Sequence, residues 1–238
     1  MNTKLQGVKY SHMSFSDVLF PRFCLGCGAT GSFICVRCEG LLSPFEINTC
    51  FYCGSPSLNG LSHPRCRRPK GVDGFISLYH YNNLFKKIIK SIKYNKAKII
   101  LGDLNHLLGK NLLKTPIYYY VKKFPGLVAI PVPLFEARQK QRGFNQTEPI
   151  CTYVSGLLSI GQNTNTLVRI KDTPMQTLAL TKKQRRENIQ GAFYGGSPPP
   201  HILLIDDVVT TGATTKEAAK TLKENGAKTV VVFSVAKG

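Results

Sequence analysis

Acidic residues are the scarcest resource of this chain. Its 238 residues hold 13 Asp+Glu against 32 Lys+Arg, a formal net charge of +19 and a pI near 9.7. Positive charge on that scale points to a polyanionic partner: nucleic acid, an anionic membrane surface or a phosphorylated ligand. The plainer alternative is a lysine-rich surface that only keeps the chain in solution. Long apolar runs are also missing. No stretch approaches the ~18 consecutive apolar residues of a membrane span, and the opening "MNTKLQGVKYSHMSF" has no apolar core of the kind a secretory signal needs. The expected location is therefore the cytoplasm. There is no Gly-Lys-Ser/Thr of a Walker A loop and no GxGxxG, which removes two common nucleotide-binding classes. No internal repeat stands out beyond the spacing of the cysteines.

Cysteine is plentiful. Eight cysteines without an export signal argue against disulfides and for metal. Cys24 and Cys27 are answered by Cys35 and Cys38, and Cys50 and Cys53 by His63 and Cys66. Each CxxC makes a tight turn that brings two thiolates to one ion, and two such pairs complete a tetrahedron. The HxxC pair is the weaker half, because Pro64 sits beside His63. The even pairing favours zinc over an iron–sulfur cluster. With few large apolar residues in some fifty positions, metal must supply much of the folding energy, so the sites read as closed and structural. Cys151 stands alone in an apolar helix and reads as buried.

The chain divides by character into a tail at 1–20, a double zinc ribbon at 21–70 and a third region at 71–238. In that third region "GFISLYHY", "LVAIPVP", "HILLI" and "KTVVVFSVA" read as strands. "NLFKKIIKSIKYNKAK", "TEPICTYVSGLL" and "TTKEAAKTLKENG" read as helices. Residues 161–200 are polar with few regular signals. Continuous apolar strands alternating with helices predict an α/β fold with a parallel sheet covered on its faces.

"ILLIDDVVTTGAT", residues 202–214, carries the chemistry. A strand that ends in a glycine–hydroxyl loop opening a helix is suited to phosphate, since amides, hydroxyls and the helix dipole all favour an anion. Thr214 and Glu217 have the spacing of a capping box for that helix. Asp206 and Asp207 can accept from vicinal hydroxyls or hold Mg2+ through water. Phosphate plus diol describes a ribose 5-phosphate.

The stretch resembles the phosphoribosyl pyrophosphate (PRPP) signature of type I phosphoribosyltransferases. The resemblance implies PRPP contacts by Asp206, Asp207, Val208, Val209, Thr210, Thr211, Gly212, Ala213 and Thr214. With "VLFPRFCLGCG", "SIKY", "IPVPLFEARQKQRGFNQTE" and "RIKDTPMQTLALTKKQRRENIQGAF" in the same order, the chain resembles ComF-type competence proteins. Those pair a double zinc ribbon with a type I phosphoribosyltransferase-like domain. HxxC in place of a fourth CxxC is the departure from that pattern.

The resemblance implies a pyrophosphate loop at Arg138, Lys140, Arg142 and Gly143. It implies a mobile catalytic loop with Arg169, Lys171, Gln176, Arg185, Arg186 and Asn188. It implies PRPP with Mg2+ as ligand, a role in moving single-stranded DNA during natural transformation, and a DNA-uptake helicase or inner-membrane channel as partner at the inner face of the membrane. The charge pattern supports the nucleic-acid part: Lys86, Lys87, Lys90 and Lys93 share one helix with no acid among them. Two other readings stay open. One is a metabolic phosphoribosyltransferase that moves ribose 5-phosphate from PRPP to a nitrogen acceptor, and the other is a non-catalytic PRPP-sensing adaptor. The glutamine-using amidophosphoribosyltransferases are disfavoured, because the chain starts Met1-Asn2 without their N-terminal cysteine.

Overall fold

A computed structural model of the chain describes residues 21–94, 97–173 and 181–238, with backbone alone at 93, 94, 97–99, 182, 185 and 186. Contacts group the chain into two units, Met1–Leu41 and Leu42–Gly238. The first unit holds Cys24, Cys27, Cys35 and Cys38, the last two flanking or inside a short helix, α1 (Val36–Glu39). The second cysteine cluster folds with the sheet unit. Backbone and side-chain bonds tie its segment down: Phe45 N to Leu78 O at 2.8 Å, His80 N to Ser43 O at 2.9 Å, and the Ser62 hydroxyl to Val72 O at 2.7 Å.

The second unit is built on a five-stranded parallel sheet of β1 (Gly74–His80), β2 (Val128–Pro131), β3 (Gly161–Gln162), β6 (His201–Val209) and β7 (Thr229–Lys237), in the order β1-β7-β6-β2-β3. The central strands are runs of Ile, Leu and Val. Side chains alternate between the two faces of a strand. Ile202 and Leu204 are buried on one face, and Leu203 and Ile205 are buried as well, so both faces are covered. This is the α/β sheet with flanking helices that the sequence predicts.

Helix α2 (Asn83–Tyr94) starts where the Asn82 side chain accepts from Phe85 N at 3.0 Å. Its apolar stripe of Phe85, Ile88, Ile89 and Ile92 is buried. The helix predicted through Lys98 is described as far as Tyr94, with 95 and 96 outside the described residues. Helix α3 (Ala97–Leu112) follows, then α4 (Ile117–Lys123). Neither of these carries a reading of its own in the sequence. Their burial, from Ile100 to Tyr120, makes them part of the core rather than an exposed amphipathic surface. Helix α5 (Glu136–Arg142) occupies the basic segment that resembles a pyrophosphate loop, so Arg138, Lys140 and Arg142 stand on a helix and Gly143 ends it at φ +80°.

After α6 (Thr147–Leu158), the polar stretch 161–200 is more regular than its composition shows. It forms a hairpin of β4 (Leu167–Arg169) with β5 (Phe193–Gly195), linked by α7 (Lys182–Ile189). The hairpin side chains Leu167 and Phe193 complete the core over β6 and α8 (Ala213–Glu224). Gln176 lies outside the described residues, as do the side chains of Arg185, Arg186 and Lys93.

Two expectations about the 202–224 segment need correction. Strand β6 does not stop before the aspartates; it runs through Asp206 and Asp207 to Val209, paired with β7. The Thr214–Glu217 capping box does not form. Helix α8 begins at Ala213 behind Gly212, which has φ +69°, and no side chain caps it. Glu217 instead accepts from Gly191 N at 2.7 Å. No described helix is long and apolar enough to cross a membrane.

Candidate phosphate-binding loop and metal centres

The ligand atoms of Cys24, Cys27, Cys35 and Cys38 all lie within 4.8 Å of one another, and so do those of Cys50, Cys53, His63 and Cys66. The two CxxC turns are built alike. Gly28 N returns to Cys24 O at 2.8 Å and Gly54 N to Cys50 O at 2.9 Å, with both glycines at positive φ. His63 stands among the potential ligand atoms of the second cluster. Its Nδ1 lies 3.4 Å from Cys53 Sγ, while Nε2 is 3.0 Å from Pro56 O. A donating Nε2–H leaves the Nδ1 lone pair free for a metal and fixes the ring, the usual outer support of a metal-bound imidazole.

The thiols of each cluster are driven apart in acidity. Burial raises Cys24, but N–H donation from Cys35, Cys27 and Gly26 outweighs it and brings the thiol down to about 6. Burial, then bonding to Cys24, Cys27 and Cys35, pushes Cys38 up to about 12. In the second cluster, N–H donation from Ser55 leads Cys53 down to about 7, while burial and the neighbouring sulfurs push Cys66 up to about 11. Neighbouring thiolates repel one another, and a divalent cation removes that repulsion. Four thiolates, or three with an imidazole, make a donor set that fits structural zinc.

The loop after β6 forms a small hollow lined by Asp206 and Val208 through Thr215. Its backbone is held from several sides. Lys237 Nζ donates to Thr210 O at 3.1 Å, the Thr215 hydroxyl to Gly212 O at 3.2 Å, and Gly238 N to Val209 O at 3.0 Å. The first N–H groups of a helix have no intrahelical acceptor. Here Ala213 N, the first of α8, donates to the Thr211 hydroxyl at 3.4 Å.

The acidic pair is buried, with Asp206 9% and Asp207 6% exposed. Buried carboxylates need donors. Asp207 Oδ1 accepts from Val208 N at 2.7 Å, and Oδ2 accepts from Gln146 Nε2 at 3.1 Å. Gln146 Oε1 in turn accepts from Arg142 Nη1 at 3.4 Å. Arg169 donates to the Thr173 hydroxyl and its guanidinium stands 5.8 Å from the Phe193 ring centroid. Burial lowers its pKa first and the Arg138 charge lowers it further, while Asp172 and Asp206 raise it. Arg138 is 2.8 Å from Asp172 and also donates to Thr173 O. Arg138 and Arg169, from two separate sequence segments, thus meet at Thr173, while Arg142 reaches the strand through Gln146.

Residues 15–67 match the family model described as a double zinc ribbon domain. Competence protein F of Haemophilus influenzae is 29% identical over 165 residues, covering 67% of this chain and 69% of its own length. The DNA utilization protein YhgH of Salmonella typhimurium is 29% identical over 154 residues, 62% of this chain and 65% of its own length. Its counterpart in Escherichia coli O157:H7 is 30% identical over 152 residues, 60% and 63% respectively. These findings support a ComF-type protein.

In this ComF-type chain the predicted residues divide by position. All eight predicted metal ligands lie in the two clusters, and Asp206 through Thr214 surround one hollow. Arg138 and Arg169 meet at Thr173, and Arg142 comes to the acidic pair through Gln146. Lys140 does not; it is 76% exposed and pairs with Glu136 on its own helix at 2.6 Å. Lys171 reaches Gln190 O at 3.1 Å, away from the aspartates. Asn188 lies on α7, and Lys86, Lys87 and Lys90 are exposed on α2. Gln146, Asp172 and Thr173 are the site residues that sequence reasoning passed over. Gln146 lies inside the quoted "RGFNQTE", but an uncharged amide beside three cations drew no attention.

Proposed function

We propose that this ComF-type protein serves DNA uptake in natural transformation, binding PRPP with Mg2+ at the 206–214 loop and single-stranded DNA along its basic surface. Two buried aspartates beside a helix-opening loop, one of them linked through Gln146 to Arg142, carry the PRPP part. The two anionic ends of PRPP need different partners: the loop amides and hydroxyls suit the 5-phosphate, and Arg138, Arg142 and Arg169 suit the pyrophosphate. The diol falls to Asp206 and Asp207 between them. Mg2+ would be held by those carboxylates through water and would neutralise pyrophosphate charge. The relatives named for competence and for DNA utilization support the nucleic-acid part, as does the exposed lysine row of α2.

One sample titrated with PRPP and Mg2+, and separately with a thymidine oligonucleotide, tests both halves. Each charge-assisted hydrogen bond is worth about 1.5–3 kcal/mol, so Asp206→Asn with Asp207→Asn should weaken PRPP binding by at least about tenfold. Unaltered affinity in the double variant sinks the loop assignment. Absence of oligonucleotide binding at low salt, with pyrophosphate released in the presence of a free base, would favour the metabolic enzyme instead.

A further inference from the structure

We propose that Phe51, on the turn between Cys50 and Cys53, is the positioning residue for the phosphate loop, and that metal in the second cluster holds it in place. The proposal rests on reading 210–214 as that loop. Gly212 has φ +69°, and a Cβ added there would lie 2.7 Å from Phe51 Cζ and 3.2 Å from Cε2. The ring therefore lies directly against the Gly212 backbone. It is held from behind by Phe75 and Tyr52, each with its ring centroid at 5.5 Å. The same turn reaches the first turn of α8, where Lys216 Nζ stands 5.3 Å from the Phe51 centroid and 5.6 Å from that of Tyr52. These groups wall a cavity of about 490 Å³ that Thr210, Thr211 and Lys237 complete.

The mechanical link is short. Cys50 and Cys53 are ligands of one cluster, and Phe51 lies between them. Phe51 packs into the core, but Cys53 at the far end of the turn is exposed, so metal binding there fixes the turn's closure. Gly212 can hold its left-handed conformation without a Cβ clash, yet glycine alone leaves it mobile. The Phe51 ring supplies the missing restraint. Metal at Cys50, Cys53, His63 and Cys66 thus sets the geometry of a loop that binds a different ligand.

Amide exchange at 209–215 and PRPP titration, read side by side with zinc content, test this in the full chain. Phe51→Ala should keep both zinc ions, speed exchange at 210–213 by about tenfold or more and weaken PRPP binding by a similar factor. Phe51→Leu, which preserves most of the core volume, should fall between wild type and Phe51→Ala. Cys53→Ser should reproduce the loop effect through loss of the second ion, with Cys27→Ser in the other unit as the control that does not. In a double-mutant cycle, Gly212→Ala should cost less affinity in the Phe51→Ala background than in wild type, because the clash is gone and only the φ strain remains. If wild type binds no PRPP, the loop reading fails, and exchange still decides the role of Phe51. Unchanged exchange at 210–213 in both Phe51→Ala and Cys53→Ser overturns the proposal, as does wild-type PRPP affinity in Phe51→Ala.

Discussion

His63 holds its ring between two commitments, with Nδ1 against the Cys53 sulfur and Nε2 against the Pro56 carbonyl. His63→Ala should leave the second cluster with three donors. Elemental analysis under a competing chelator should then fall from two zinc ions per chain toward one, while His63→Cys retains two. Content unchanged by the alanine removes His63 from the ligand set. Gln146 is the other residue whose role comes from position. It is buried, and its amide N–H is a donor to Asp207. Gln146→Leu keeps the bulk but leaves a buried carboxylate oxygen short of a partner. That should cost about 1.5–3 kcal/mol of stability, read as a lower urea midpoint with an unchanged slope. No change in the midpoint would mean that Asp207 finds another donor. Cysteine spacing alone made the metal ligands legible, because a tetrahedral site constrains local sequence. Nothing local marks Gln146, whose partner is 61 residues away.

At the scale of elements, α2 separates its two kinds of residue cleanly. Phe85, Ile88, Ile89 and Ile92 go into the core, and Lys86, Lys87 and Lys90 are left outside. A single-strand phosphate contact contributes about 0.7 to the salt slope, so changing these three lysines to alanine should flatten log K against log salt by roughly 2. PRPP affinity should stay as it was. Equal slopes for the triple variant and wild type would take α2 out of the nucleic-acid surface. Helix starts show where local pattern misleads. Thr181 and Gln184 form a true capping box, with Gln184 N donating to the Thr181 hydroxyl at 3.2 Å. Thr214 and Glu217 have the same spacing but do not. Gly212 turns the chain two residues earlier, and Glu217 is drawn to Gly191 across the hairpin. The hairpin itself was hidden because β4 and β5 are three residues each and lie 23 residues apart, too short and too distant for periodicity to register.

Over the whole molecule, burial in one core has a measurable effect on pH dependence. The Cys151 thiol, fully enclosed in α6, is pushed by burial, and then by the Glu148 charge, from 9.0 up to about 12. A raised thiol pKa means that the folded state holds the proton more tightly than the unfolded chain does. The unfolded chain begins to release its proton near 9 and the folded chain does not, so stability is whole below that value and declines as pH rises toward 12. Urea midpoints on either side of 9 should drop more steeply for wild type than for Cys151→Ala; parallel declines would refute the assignment. Sequence by itself determined the α/β class, the membership of the two Cys/His clusters and the residues that line the hollow after β6. Each of these is encoded by neighbours: apolar runs long enough to be strands, ligands at turn spacing, glycine and hydroxyls in one short stretch. Only the tertiary structure decided which charges meet. Packing α5, α6 and the β4–β5 hairpin around β6 brought Arg142 through Gln146 to Asp207 and Arg138 and Arg169 together at Thr173. It sent Lys140 to Glu136 and set Phe51 against Gly212. Those pairings depend on close packing between segments far apart in the chain, where distance and burial, rather than residue type, fix the interaction.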